Sequence, residues 1–407
     1  MKAVRFSTGP LRFVLGKLAG RLHPSFYTGP LGSVQLAELP PPSLPGPDWA
    51  VVRVRLGGVC GSDLHTVTLD ASPSMSVFSS MPFVLGHENV GVLEEVGPAV
   101  AGFQPGQRVV VEPLLPCRVR GIDPPCPACQ AGEVQQCHRF TDGRLAPGLI
   151  VGSCRDTGGS WAEKFVAHSS QLVAVPEGVS DEAALMAEPF AVALHSVLRF
   201  GPGPGQTALV IGCGAVGLCT VAALRAAAPQ ARVVAVARHA HQARMAGQLG
   251  AHRVVQGRGR QVDEALAGEL GARLHRALLG PPVPVGGADV TFECVGSARS
   301  ITDALRFTRP GGRVVLAGLA STPRGVDWTP IWLKELELRG TFCYGLESWQ
   351  GRVVRTLELA LELMAAGQVD LAPLVTHKFP LSQWRRAIDV SLHKRAQAAL
   401  KVALFPD

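Results

Sequence analysis

A chain of 407 residues, 47% apolar and 17% charged, is long enough for two cores at ~100–200 residues per domain, and this balance excludes a disordered or fibrous protein. The formal charge of +7 comes from 39 Lys plus Arg against 32 Asp plus Glu. These cations are mostly Arg and are dispersed, without the dense basic window of a nucleic-acid binder, so no nucleic-acid partner is expected.

The opening "MKAVRF" reads as a β-strand, and Leu11, Val14, Leu15, Leu18 and Leu22 follow at helical spacing, which predicts a helical insert over residues 10–30. The first acidic residue is Glu38. An Arg-rich, acid-poor start is also the pattern of an organellar leader, but a strand followed by a helix accounts for the same residues. No long apolar region of the secretory kind is present, and a cytoplasmic location is expected.

From Val34 to about residue 175, short runs such as "WAVVRVRLGGV" and "QRVVVEP" alternate with Pro and Gly turns, predicting a β-rich domain with long loops. "GGVCGSDLHTV" sets Cys60, Ser62, Asp63 and His65 at the end of one strand, and "PFVLGHENVG" sets His87 and Glu88 at the start of another. Thiolate, imidazole and carboxylate are the groups that zinc accepts, and Glu188 in "LMAEPFAVALHSV" is a further candidate. Cys117, Cys126, Cys129 and Cys137 crowd into one short segment. Without a secretory signal such a cluster points to a metal rather than to disulfides.

From about residue 205 apolar strands alternate with helical runs, which implies a parallel sheet with crossover helices. Residues 207–224 carry no charge, yet Gly212, Gly214 and Gly217 break the run and argue against a membrane span. Their G-x-G-x-x-G spacing between strand and helix is that of a dinucleotide-binding turn, with Ala215 and Val216 in the same turn. About 20 positions on, where an NAD site places a carboxylate, stand Ala237 and Arg238. A 2′-phosphate would meet no repulsion there and could pair with Arg238, and Arg244 adds a second cation, so NADP(H) is favoured over NAD(H). The last 60 residues read as a helix over "RVVRTLELALELMAAGQVD", a strand near "LVTHKF", a helix near "LSQWRRAIDV" and a closing strand in "ALKVALF".

Taken together, "CGSDLH", "GHE", the cysteine segment, "AEPFAVALH", "GCGAVG" and "RPGGRVVLAG" resemble the medium-chain, zinc-dependent alcohol and polyol dehydrogenases over nearly the whole chain from Val34 onward. The resemblance implies an α/β protein with a GroES-like β-rich catalytic domain over residues 1–187, to which 343–407 return. A Rossmann domain with a doubly wound parallel sheet would occupy 188–342, with a zinc-bearing cleft between the two. It makes Cys60 and His87 ligands of a catalytic Zn2+, leaves Glu88 and Glu188 as alternatives for the next ligand, and gives Ser62 and His65 a proton relay. His195 reads as a packing residue. The family's structural zinc uses cysteines spaced C-x2-C-x2-C-x7-C. Here Cys126, Cys129 and Cys137 keep the last spacings, while eight residues, "RVRGIDPP", separate Cys117 from Cys126. That insert is expected to loop out, with Cys117 favoured over Asp123 as fourth ligand because thiolate is the softer donor.

The implied activity is hydride transfer between a nicotinamide cofactor and a secondary alcohol or ketone, first of polyol, sugar or cyclitol type. The alternative substrate is a hydrophobic alcohol or aldehyde, selected in either case by loops such as residues 68–81. A non-catalytic nucleotide-binding relative would have lost a ligand or relay residue, and none is missing. A zinc-ribbon nucleic-acid binder would need a basic face, for which Arg118, Arg120 and Arg139 are too few. The expected partners are a small-molecule substrate and further copies of the chain, as a homodimer or homotetramer, with residues 324–345 near an interface and no membrane partner. The 10–30 insert, a departure from the family's compact start, is assigned to cover the cleft or a subunit contact.

Overall fold

The computed structural model describes residues 1–30 and 32–407. It contains two compact units, Met1–Glu188 with Tyr344–Asp407, and Pro189–Cys343.

The first unit opens with β1 (Lys2–Phe6), α1 (Pro10–Leu22), α2 (Ser25–Thr28) and β2 (Val34–Glu38). β3 (Trp49–Gly58) leads into α3 (Gly61–Val67), followed by β4 (Phe83–Val84), β5 (Asn89–Val96) and β6 (Arg108–Val111). The cysteine segment contains α4 (Pro127–Gln130). After it come β7 (Lys164–His168), β8 (Leu172–Ala174), α5 (Asp181–Leu185) and the first residues of α6 (Ala187–Phe200). β3 alternates as a half-covered strand must: Val52, Val54 and Leu56 are buried while Arg53 and Arg55 point to solvent. Cys60, Ser62, Asp63 and His65, expected at a strand end, instead cap and occupy α3, because Asp63 closes a capping box on Cys60 and starts a helix directly after β3.

The second unit alternates strand and helix as β9 (Thr207–Ile211), α7 (Ala215–Ala227), β10 (Arg232–Ala237), α8 (Ala240–Gln248), β11 (Arg253–Gln256) and α9 (Arg260–Glu269). A hairpin of β12 (Arg273–His275) and β13 (Val283–Val285) precedes β14 (Ala288–Glu293), α10 (Ala298–Phe307), β15 (Thr308–Leu316), α11 (Thr329–Leu333) and β16 (Glu337–Gly340). The sheet order β11-β10-β9-β14-β15-β16 is parallel throughout. This is the doubly wound order, reversing direction beside β9, where such folds bind ligands. The uncharged run 207–224 divides into β9 and α7, and no described helix is long and apolar enough to cross a membrane.

The chain then adds β17 (Leu346–Trp349), β18 (Arg352–Arg355), α12 (Thr356–Ala365), β19 (Val375–Pro380), α13 (Trp384–Leu392), α14 (Lys394–Gln397) and β20 (Lys401–Phe405) to the first unit. The helix expected from Arg352 begins only at Thr356. Gln350 and Gly351 both take positive φ, 48° and 81°, as a two-residue hairpin turn requires, and so fold Arg352–Arg355 back onto β17. β19 and β20 complete the sheet β19-β20-β3-β5-β6-β8, with β7 also paired to β3. β20 lies against the end of β3 through Ala403 and Gly58, which brings the C-terminal strand beside Cys60.

Candidate active site

In the first unit, one ligand atom each from Cys60, His87 and Glu88 lies within 4.8 Å of the others. The end of β3 and the turn before β5 set this up. The Cys60 Sγ accepts from the Asp63 backbone N–H, while the Asp63 carboxylate accepts from the Cys60 N–H at 2.9 Å. Asp63 Oδ1 also lies 3.7 Å from His87 Nδ1. Burial disfavours the imidazolium, but the Asp63 charge, followed by contacts to Asp63 and Cys60, outweighs it and holds His87 well above its usual range.

Asn89 anchors the turn by donating to the carbonyls of His87 and Val111, both at 3.0 Å, and accepting from Val111 N–H at 2.8 Å. Gly58 leaves room for Glu88, since a Cβ there would stand 2.0 Å from Glu88 Oε2. Both Glu88 oxygens accept from Lys401 Nζ at 2.6 Å, and both side chains are buried. A buried carboxylate beside a thiol and an imidazole is costly without such a cation. Glu188 is buried in the same field. Burial pushes it up to about 7, with His87 opposing and Glu88 adding to the rise.

Ser62 Oγ and His65 Nδ1 are buried and have no hydrogen-bond partner among the described residues. Buried polar atoms are nearly always satisfied, so two orphans on one short helix beside this cluster are the mark of groups that meet a ligand. Asp63, Asn89 and Lys401 are contributors that sequence reading did not assign. The C-x-x-D capping spacing signals Asp63, whereas nothing local signals Lys401, 313 positions from Glu88.

The four cysteines Cys117, Cys126, Cys129 and Cys137 also converge within 4.8 Å, and all remain free thiols. The Cys117–Cys137 and Cys126–Cys137 sulfurs are 3.7 and 3.9 Å apart. A tetrahedron with Zn–S arms of ~2.3 Å has edges of roughly 3.8 Å, so the set fits a zinc ion. Backbone N–H groups of Cys126, His138 and Arg139 donate to the sulfurs of Cys117, Cys126 and Cys137 at 3.3, 3.4 and 3.4 Å. Despite burial, the N–H groups of His138 and Cys129 bring Cys126 down to about 6, while burial pushes Cys137 up to about 11 and Cys129 higher. Asp123 is exposed and outside the cluster.

The eight-residue insert leaves Arg118, Gly121, Asp123 and Pro124 exposed and returns Cys126 to Cys117, but part of it turns inward. Val119, Arg120 and Ile122 are buried, and Arg120 donates to the carbonyls of Leu115, Asp142, Leu145, Ala146 and Gly148 at 2.7–3.1 Å. Those bonds use all five guanidinium N–H donors, which is why a charged side chain can turn inward.

In the second unit, Gly212 follows β9 with φ of 95°, and a Cβ on Gly217 would stand 1.8 Å from the Gly212 carbonyl oxygen. Above Gly214, the N-cap of α7, a Cβ would meet nothing within 4 Å. The turn therefore needs Gly212 and Gly217 for its own shape and leaves space over Gly214 at a helix N-terminus, a cradle suited to pyrophosphate. Ala215 and Val216 form the first turn of α7. Ala237 ends β10 in the core, Arg238 is exposed just beyond it, and Arg244 is exposed on α8. His195 is buried on α6.

Residues 46–177 match the alcohol dehydrogenase GroES-like domain, and residues 215–359 match the zinc-binding dehydrogenase family. The chain is 33% identical over 345 residues to L-idonate 5-dehydrogenase of Vitis vinifera, covering 84% of this chain and 83% of that one. It is 31% identical over 357 residues to sorbitol dehydrogenase of Arabidopsis thaliana, covering 88% of each. A zinc-binding dehydrogenase from Sinorhizobium meliloti 1021, solved with NADP bound, superposes with a TM-score of 0.71 at 27% identity, over 92% of this chain and 96% of that one. With a GroES-like β unit, a doubly wound parallel sheet and these relatives, the chain belongs to the zinc-dependent medium-chain alcohol and polyol dehydrogenases and is an oxidoreductase acting on CH–OH donors with zinc and a nicotinamide cofactor.

Proposed function

We propose that the enzyme interconverts a polar secondary alcohol of polyol, sugar or cyclitol type and its ketone, with NADP(H) as the preferred cofactor. The observation that carries this reading is the pair of orphaned buried atoms, Ser62 Oγ and His65 Nδ1, beside the Cys60–His87–Glu88 cluster. Cys60, His87 and Glu88 would hold the catalytic zinc, with Glu188 as a further carboxylate. Cys117, Cys126, Cys129 and Cys137 would hold the structural one. When bound, zinc supplies Lewis-acid polarisation of the substrate C–O bond and the nicotinamide supplies or takes the hydride.

Oxidation of an alcohol also releases the hydroxyl proton. Ser62 Oγ can accept a hydrogen bond from the substrate hydroxyl, and the His65 imidazole, with a nitrogen that can take up and release a proton, can pass it outward. Asp63 keeps Cys60 and His87 in place, and Lys401 balances the Glu88 charge. The Gly212–Gly217 turn would hold the pyrophosphate. Arg238 and Arg244, with no carboxylate on Ala237, favour a 2′-phosphate, and the NADP-bound Sinorhizobium relative is in keeping with this. The polyol class rests on the sorbitol and idonate dehydrogenase relatives. Exposed Trp328, Trp332 and Leu333 near the edge strand β16 support self-association as a dimer or tetramer.

The test is a panel of polyols, cyclitols and simple alcohols assayed with both cofactors, for the wild type and Arg238→Ala. Turnover of a polyol or cyclitol with NADP, and a loss of about tenfold or more in kcat/KM for NADP but not NAD in Arg238→Ala, is the expected result. A tenfold preference of the wild type for NAD sinks the cofactor assignment.

A further inference from the structure

At about 100° per residue, Leu11, Val14, Leu15, Leu18 and Leu22 fall on one arc of α1 roughly 100° wide. In an ordinary surface helix such an arc faces the core. Here it faces away, and its five side chains are between 53% and 84% exposed. The opposite side holds Phe13, Gly16 and Gly20. Phe13 and Tyr27 pack on the buried cluster, a Cβ added to Gly16 would lie 3.1 Å from Leu69 Cδ1, and Gly20 lies directly under the Tyr27 ring. Small residues on that side bring the backbone down onto the first unit and leave the leucines outside. The orientation is pinned at two points, where Arg12 donates to the Gly32 carbonyl at 2.5 Å and Lys17 to the Leu69 carbonyl at 2.9 Å.

We propose that α1 docks the protein on an anionic bilayer surface, its leucine arc entering the lipid interface and its cations lying at headgroup level. Charge selects this occupant. Residues 1–37 carry Lys2, Arg5, Arg12, Lys17 and Arg21 and no Asp or Glu; Lys2 pairs with Asp407 and Lys17 lies 3.7 Å from Asp70, so cations still outnumber the acids beside them, and Arg12 and Lys17 stand on either side of the arc. A leucine face flanked by cations is the composition of helices that lie in a membrane interface. A second copy is disfavoured, because stacking two such faces would bring together two segments whose five cations outnumber the neighbouring Asp70 and Asp407. A single 13-residue helix is also narrow against the ~800 Å² per partner of a stable interface.

Co-sedimentation with sonicated vesicles tests it, using phosphatidylcholine alone and phosphatidylcholine with one part in four phosphatidylserine. The wild type should bind the serine-containing vesicles at least tenfold more tightly than the neutral ones, with binding falling as salt is raised. Leu15→Ser/Leu18→Ser should lose at least tenfold of that binding while keeping wild-type dehydrogenase turnover. Wild-type protein left in the supernatant with anionic vesicles overturns the proposal. So does a leucine variant that binds vesicles as the wild type does, or one that only converts a larger oligomer to a smaller one by light scattering, which would assign the face to a second copy.

Discussion

The two metal-type clusters of the first unit are built to opposite plans. Around Cys60, His87 and Glu88 the donors are mixed, charge is balanced by Lys401 directly on Glu88 and Asp63 beside His87, and two polar atoms on α3 are unsatisfied. Around Cys117, Cys126, Cys129 and Cys137 there are four like donors, sulfurs that accept backbone N–H groups, and an adjacent arginine with every donor used. A site that does chemistry has to keep a place open for substrate, whereas one that braces a loop is closed.

The comparison breaks most visibly through Cys60→Ala, which should lower kcat/KM by about a thousandfold or more. NADPH binding followed by fluorescence should survive, as should the second zinc by elemental analysis. Activity retained in a zinc-free sample would remove the Lewis-acid role. Next is Lys401→Met, which leaves Glu88 buried without its cation and should cost about 3 to 5 kcal/mol in urea unfolding. Adding Glu88→Gln should recover part of that loss, and an additive double mutant would show that the pair is not coupled.

Arg120→Met should cost about 3 kcal/mol by orphaning carbonyls, and residues 139–148 should become cleavable under limited proteolysis. An unchanged cleavage pattern would mean that the four cysteines alone hold that loop. Smallest is the contrast of Cys117→Ser with Asp123→Ala: the first should drop zinc content from two to one per chain with the catalytic ion retained, and the second should leave it at two. Loss of zinc in Asp123→Ala would restore the oxygen-ligand alternative.

Much of the site was legible because its information is local. Gly212, Gly214 and Gly217 are a turn and a helix start within six residues: Gly212 takes a φ of 95°, and a Cβ on Gly217 would meet the Gly212 carbonyl. Cys60 and Asp63 satisfy each other across three positions. The misreadings have non-local or turn-specific causes. Arg352–Arg355 have helix-compatible neighbours but follow a positive-φ pair that only a hairpin uses. Arg120 lies in a polar segment whose Gly and Pro suggest a loop, and its inward turn depends on acceptors at Leu115 and at 142–148.

Taken alone, the sequence determined periodicity and donor chemistry: which runs are strands, which turn suits a dinucleotide, which residues can hold a soft cation. Tertiary structure decided which charges are balanced and which faces are covered. Glu88 found Lys401 across 313 positions because β20 pairs with β3. The leucine arc of α1, which any pattern reading would bury, faces outward because Gly16 and Gly20 let the other side come closer. Burial and charge pairing are properties of what the rest of the chain brings near, and periodicity along a helix carries no sign for its direction.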